Sequence, residues 1–331
     1  MPPQNVQTVL TRPGDPKIYL RVRDGEWCYY DPNHECLGSG AMGTVYLGFG
    51  MQSGRRIAIK RVKDQYANQQ MVRERAKQEA SLVFNHPNII QMLGYCECHP
   101  SRGPIFILSE YVSGITLGHH ARTNMAYLDT REKSKRISLE ICHVLDALSC
   151  IHSYGIVHRD IKPSNIMLEG GKKVKLMDLG IARLNGGNKF STVGFIGTPQ
   201  YASPEQIQRE SCDDDIDLRS DIYALGITIY ELVTGFNPFD TEVQMDILEN
   251  QLKKKLPYSD KIDRPLYNIL LKATEKNPDK RFQTAQEFKE ALTRYIDSED
   301  TRSFPIGNVV AYVIGGLVFI LVIIFVFLKI M

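Results

Sequence analysis

The hydrophobic pattern changes period near Gly118, and that single change leaves few architectures open to the chain. Before it, short apolar runs alternate with turn residues. Leu37–Leu47, Ile57–Val62, Ile89–Tyr95 and Ile105–Tyr111 read as strands, broken by a helical stretch from Met71 to Phe84 that Asn85-His86-Pro87 closes. After it, Ser134–Tyr154, Ser220–Thr234, Thr241–Lys255 and Pro265–Glu275 carry apolar residues at helical spacing. Strands grouped first and helices grouped second predict an α+β chain of two lobes, an antiparallel β-sheet lobe with one main helix followed by a mainly helical lobe. A ligand cleft is expected at their seam. The 331 residues, 43% of them hydrophobic, are enough to bury a sizeable core.

Charge and cysteine usage exclude more than they suggest. With 40 basic and 38 acidic residues the formal charge is +2, which argues for no nucleic-acid partner. The 7 cysteines are scattered and odd in number, as in a reducing compartment. Cys96-Glu97-Cys98-His99 lacks the second ligand pair that a structural zinc site needs.

Four short motifs carry the chemistry. Gly38-Ser39-Gly40-Ala41-Met42-Gly43-Thr44-Val45 fits GxGxxGxV, where missing β-carbons let backbone N–H groups approach phosphate oxygens. Ile57-Ala58-Ile59-Lys60 follows on an expected strand. Further along stand His158-Arg159-Asp160-Ile161-Lys162-Pro163-Ser164-Asn165 and Asp178-Leu179-Gly180, a spacing that supplies a hydroxyl-orienting carboxylate, two oxygen groups for Mg²⁺ and a lysine. Together they predict phosphoryl transfer.

From Leu37 to about Tyr295 the sequence resembles the protein-kinase family, and Thr198-Pro199-Gln200-Tyr201-Ala202-Ser203-Pro204-Glu205 looks most like its bacterial Hanks-type serine/threonine branch. The resemblance implies a protein kinase that uses ATP with Mg²⁺ (or Mn²⁺) and acts on Ser or Thr of protein substrates. It assigns Asp160 to the substrate hydroxyl, Lys162 to the transferred phosphate, and Asn165 and Asp178 to the metal. Lys60 would contact the α- and β-phosphates and pair with a helix carboxylate. Glu79 is expected there because Leu82 and Val83, at i+3 and i+4, share its helical face. Glu74 is the alternative. Leu37, Val45, Ala58 and Met167 would sandwich the adenine, with Ser109 as a small gatekeeper and backbone bonds from Glu110 and Val112. Glu205 is expected to pair with Arg281, and Asp221 to brace the catalytic loop. Leu179 and Ser203 depart from the common Phe and Ala, and Ser164 departs from the Glu of relatives that prefer basic substrates. Ser191 and Thr192 are expected sites of self-phosphorylation, with Arg159 able to clamp a phosphate.

The same reading divides the chain. Residues 1–30 form an extension with a hairpin about Asp24-Gly25, 31–295 the kinase domain (lobes meeting at about 112–113), and 296–308 a linker. Residues 309–328 hold no charge and, at about 1.5 Å per residue, match a bilayer's hydrocarbon thickness, which predicts a transmembrane helix. Residues 329–331 form a short tail. No secretory signal is visible in the first 20 residues, so the expected molecule is a single-pass protein with its kinase domain on the cytoplasmic side, a bacterial inner membrane being favoured. Ala311 and Gly315 form a small-xxx-small pair suited to a homodimer.

Overall fold

Antiparallel strands come first, as the alternating pattern requires: β1 (Val9–Thr11), β2 (Ile18–Arg21) and β3 (Trp27–Tyr30) precede β4 (Gly38–Ser39), β5 (Gly43–Gly50) and β6 (Arg56–Val62). A computed structural model describes residues 8–34, 36–40, 42–178, 198–208 and 216–298. Asp24-Gly25 makes the expected hairpin turn between β2 and β3, with Gly25 at φ +94° and Asp24 Oδ1 accepting from Glu26 N at 3.0 Å. Two helices, α1 (Asp64–Ala67) and α2 (Gln70–Ser81), then lead to β7 (Met92–Glu97) and β8 (Ile105–Glu110). The strands join in the order β1-β2-β3-β5-β6-β8-β7, with β4 paired to β5. Alternation divides β6 between two environments. Ile57 and Ile59 are fully buried with Leu20, Phe106 and Leu108, while Ala58 and Lys60 take the opposite face, toward the second lobe.

The second lobe opens with β9 (Gly114–Thr116), α3 (Leu117–Thr123), α4 (Thr130–Ser153), β10 (Ile166–Glu169) and β11 (Lys173–Leu176), the strands pairing as β11-β10-β9. It continues through α5 (Pro204–Ile207), α6 (Arg219–Thr234), α7 (Gln244–Lys253), α8 (Arg264–Ala273) and α9 (Ala285–Asp297). Every residue of α6 from Ser220 to Tyr230 is buried, so this helix is the axis against which α4 and α8 pack, with α9 lying on those two. The lobes are tied by backbone bonds and by one side-chain amide. Asn88 Nδ2 donates to Val174 O at 2.8 Å, Leu176 N to Asn88 O at 2.8 Å, and Ile90 N to Leu176 O at 3.0 Å.

That tie explains two departures from expectation. β7 begins at Met92 rather than Ile89 because residues 88–90 bond to β11 instead. α2 stops at Ser81 rather than Phe84, since Leu82 is extended and Phe84 turns into the helical lobe's core beside Ile89. Neither α3 nor α9 was signalled by the long apolar periodicities. For α9 a cue existed: Thr284 Oγ1 accepts from Glu287 N at 3.1 Å, and Ala285, Phe288, Ala291, Leu292 and Tyr295 share its buried face. Among the described residues no helix is long and apolar enough to cross a membrane. The run 309–328, its small-residue pair, Ser191, Thr192 and Leu179 lie outside those residues.

One buried ion pair joins α5 to the segment before α9. Arg281, 2% exposed, forms two parallel bonds to Glu205, Nη1–Oε1 at 2.7 Å and Nη2–Oε2 at 2.8 Å, and Ser220 Oγ donates to Glu205 Oε1 at 2.6 Å. Burial alone would raise the Glu205 carboxyl, but these donors hold it below its ordinary value of 4.5. The pair's stabilisation is therefore complete above pH 4.5 and fades as pH falls through the depressed folded value. Arg281→Met, which strands the carboxylate, should cost about 3–5 kcal/mol in urea unfolding at pH 7. The deficit should shrink at acid pH, where the stranded Glu205 takes up a proton.

Candidate active site

At the base of the cleft the chain adopts a conformation that it could not hold unaided. Arg159 sits at φ +66° and Asp178 at φ +44°, both in the left-handed region that side chains disfavour. Asp221, the first acidic residue of α6 and fully buried, holds the first of these. Its Oδ2 accepts from His158 N at 2.8 Å and lies 2.8 Å from His152 Nε2, while its Oδ1 accepts from Arg159 N at 2.8 Å. Desolvation would raise the Asp221 carboxyl, yet the His152 bond and neighbouring donors pull it below its ordinary value. His152 was not singled out in the sequence; nothing in its local pattern marks a partner 69 positions away.

His158 completes the turn as a structural group. Burial lowers its pKa, which favours the neutral ring, and the geometry fits one tautomer: Nδ1 accepts from Asp160 N at 3.3 Å and Nε2 donates to Met177 O at 2.9 Å. Met177 N in turn donates to Asn165 O at 2.8 Å. The residue before Asp178 is thus bonded to both parts of the catalytic loop.

Around this frame the expected polar groups converge. Lys162 Nζ lies 3.1 Å from Asp160 Oδ2 and donates to Thr198 Oγ1 at 3.1 Å. Asn165 Nδ2 donates to Asp160 O at 2.9 Å and to Asp160 Oδ2 at 2.7 Å, which leaves Oδ1 as the amide's acceptor. Across the seam, Lys60 Nζ stands 3.7 Å from Asp178 Oδ1. A lysine of the sheet lobe and a carboxylate of the helical lobe therefore face one space.

Glu79 and Glu74 part company on α2. Glu74 is exposed and accepts from Gln70 Nε2 at 3.0 Å, whereas Glu79 is only 3% exposed. The reason differs from that expected. Leu82 and Val83 are past the helix end, and Val83 is 56% exposed. Glu79 is buried because Val72, Ala76 and Ala80 form the inward stripe of α2.

The apolar positions line the same seam. Leu37 N donates to Val45 O at 2.8 Å, Val45 pairs with Lys60, and Ala58 pairs with Ser109. Met167 and Met42 pack against the buried cluster that includes Val112. Glu110 N is bonded to Gln91 O at 2.9 Å, so any backbone contribution of Glu110 to a base comes from its carbonyl; its side chain pairs with Lys175 at 2.5 Å. In the glycine-rich turn, Gly40 N donates to Gly43 O at 2.9 Å and Ser39 Oγ lies 3.3 Å from Thr44 Oγ1. A Cβ on Gly43 would stand 2.6 Å from Arg61 O, so strand packing demands that glycine. A Cβ on Gly38 or Gly40 would meet nothing within 4 Å among the described residues. Ala41 lies outside the described residues.

The family profile described as protein kinase domain matches residues 32–293. The chain belongs to the protein kinase domain family. Among similar proteins, the serine/threonine-protein kinase PknB of Mycolicibacterium smegmatis is 35% identical over 271 residues, 78% of this chain and 42% of that protein. PknB of Mycobacterium tuberculosis (strain ATCC 25177 / H37Ra) is 34% identical over 275 residues, 80% and 42% respectively, and PknB of Mycobacterium leprae 34% over 269 residues, 78% and 42%. The chain thus spans about two fifths of the length of the curated relatives it matches.

Ser203 and Gln206 add a contact that this kinase domain's sequence did not advertise. Gln206 Oε1 accepts from Ser203 N at 3.0 Å and from Ser203 Oγ at 3.2 Å, and Gln206 Nε2 donates to Arg159 O at 3.4 Å. The departure from Ala at Ser203 therefore supplies a second donor to the Gln206 side chain that reaches the catalytic loop. Asp221→Asn should destabilise the domain by about 1–3 kcal/mol per donor left unsatisfied, read from urea unfolding. Amide exchange at His158 and Arg159 should quicken well before exchange at α6.

Proposed function

We propose that this chain is an ATP-dependent protein kinase that phosphorylates Ser and Thr hydroxyls of proteins, held at a membrane by residues 309–328. The observation that carries the reading is the convergence of Asp160, Lys162 and Asn165 with Lys60 and Asp178 across one seam. The names of the similar proteins, serine/threonine-protein kinases, agree with it.

The residues suit each part of the reaction. Asp160 accepts or orients the proton of the attacking hydroxyl as its oxygen bonds to the γ-phosphorus and the bond to the ADP oxygen breaks. Lys162, already held by Asp160 and Thr198, meets the transferred phosphoryl oxygens. Lys60 takes the α- and β-phosphates and Glu79 fixes the helix side of the cleft. Without a Cβ, Gly38 and Gly40 would let phosphate oxygens come close to the glycine-rich turn. Leu37, Val45, Ala58 and Met167 offer apolar surface to adenine, with the backbone of Glu110 and Val112 at its edge. Asn165 Oδ1 and the half-exposed Asp178 carboxylate, hard oxygen donors, fit Mg²⁺ or Mn²⁺, which would neutralise phosphate charge when bound. Anchoring rests on the uncharged run 309–328, and dimerisation on Ala311 and Gly315 within it. The kinase domain would lie on the cytoplasmic, ATP-containing side, a bacterial inner membrane being favoured.

The deciding experiment incubates the full chain with γ-labelled ATP, Mg²⁺ and a generic protein substrate. Label is expected on Ser and Thr, and Asp160→Asn is expected to lose at least about 10²-fold in turnover. Equal labelling by parent and variant would end the kinase reading. Mass spectrometry of the same incubation should find phosphate on Ser191 or Thr192; full activity with both unmodified would remove self-phosphorylation from the proposal.

A further inference from the structure

The amino-terminal hairpin takes no part in the chemistry above, yet it closes the sheet lobe. The sheet curls until the chain beside β1 and β2 reaches β7, the strand at its other end. Arg23 N donates to Leu93 O at 2.9 Å, and the Thr8 hydroxyl both donates to Glu97 O and accepts from Glu97 N, each at 3.2 Å. Val9, Leu20 and Val22 then fill the interior against Ile57, Phe106 and Leu108. An otherwise open sheet edge is covered.

From this closure the Arg23 side chain continues over β7 to α2. Its Nη1 donates to Met92 O at 3.3 Å and its Nη2 donates to Ala80 O. Ala80 lies in the last turn of α2, where carbonyls lack partners within the helix and the helix dipole favours a cation. No basic residue of α2 stands in that turn, so the extension supplies the charge from outside. Ala80 is also the residue after Glu79. The opposite end of α2 has its own anchor: the buried Arg73 donates to Ala67 O at 2.7 Å and Gly103 O at 2.9 Å, and pairs with Glu97 Oε2 at 3.0 Å.

We propose that Arg23 is a positioning residue: through its fork to Ala80 and Met92 it sets the seat of the last turn of α2, and with it Glu79, against the Lys60 strand. Its catalytic consequence rests on the kinase reading; the grip itself does not. The alternative is a staple that merely keeps the hairpin attached. Tyr19→Phe separates the two, because it removes the Tyr19 hydroxyl bond to Asp15 Oδ2 at 2.6 Å within the extension and touches nothing on α2.

The test compares the full chain with Arg23→Met, Arg23→Lys and Tyr19→Phe by amide exchange and by steady-state kinetics. Arg23→Met is expected to quicken exchange roughly tenfold at the end of α2 while α6 keeps its protection, on the scale of one lost charge-assisted bond. Its kcat should fall roughly five- to twentyfold with the KM for ATP moved less than about threefold. Arg23→Lys, which keeps the cation and one of the two bonds, should recover much of both losses, and Tyr19→Phe should match the parent. Parent-like exchange at α2 in Arg23→Met, equal losses in Tyr19→Phe, or loss of protection spread evenly into α6 would each overturn the proposal. A parent that transfers no phosphate would defeat the kinase reading alone, and the exchange measurement would still decide whether Arg23 holds the helix.

Discussion

A single buried carboxylate underlies the site. Asp221 accepts two backbone N–H bonds, from His158 and Arg159, and is held itself by His152. Left-handed backbone at a non-glycine residue is unfavourable, and two charge-assisted bonds from a rigid core helix offset that cost. Asp160 follows directly, so α6 sets its backbone while Asn165 and Lys162 of its own loop hold its carboxylate. The buried axis of the helical lobe thereby helps to place the Asp160 carboxylate at the seam.

Order is passed outward from there by short contacts. His158 bonds Met177, Asn165 bonds both Met177 and Asp160, and Lys162 bonds Asp160 and Thr198. The loop, the strand end that presents Asp178 and the segment after residue 197 are linked within a few bonds. The sheet lobe meets this frame through Asn88 and Ile90 on β11, and Lys60 reaches Asp178 across the seam. Because one face of β6 is locked in the closed sheet's interior, the other face presents Ala58 and Lys60 to the cleft with little freedom.

Legibility in the sequence followed the range of the forces involved. Motifs whose members are neighbours, such as Gly38 to Val45 and Asp160 to Asn165, could be assigned because their chemistry needs those residue types at short spacing. The amphipathic helices α4, α6, α7 and α8 were visible through period alone, whereas α3, with 7 residues, α9 and the small sheet of β9, β10 and β11 were not. Leu82 and Val83, which point to Glu79 in the sequence, lie past the end of α2, because the burial of Phe84 in the other lobe ends the helix early. His152 and the Ser203–Gln206–Arg159 link involve partners that only folding brings near.

The order of residues alone determined that the chain is two-lobed and which side chains are candidates for its chemistry, since periodicity and local motif spacing are written along the chain. Which glutamate lies inward, what holds Arg159 in its turn and where the amino-terminal extension sits were decided by tertiary structure. Each depends on a contact between distant positions, Asp221 with His158, Phe84 with Ile89 and Arg23 with Ala80, whose partners share no local pattern. Burial and hydrogen-bond satisfaction selected them only once the lobes had packed.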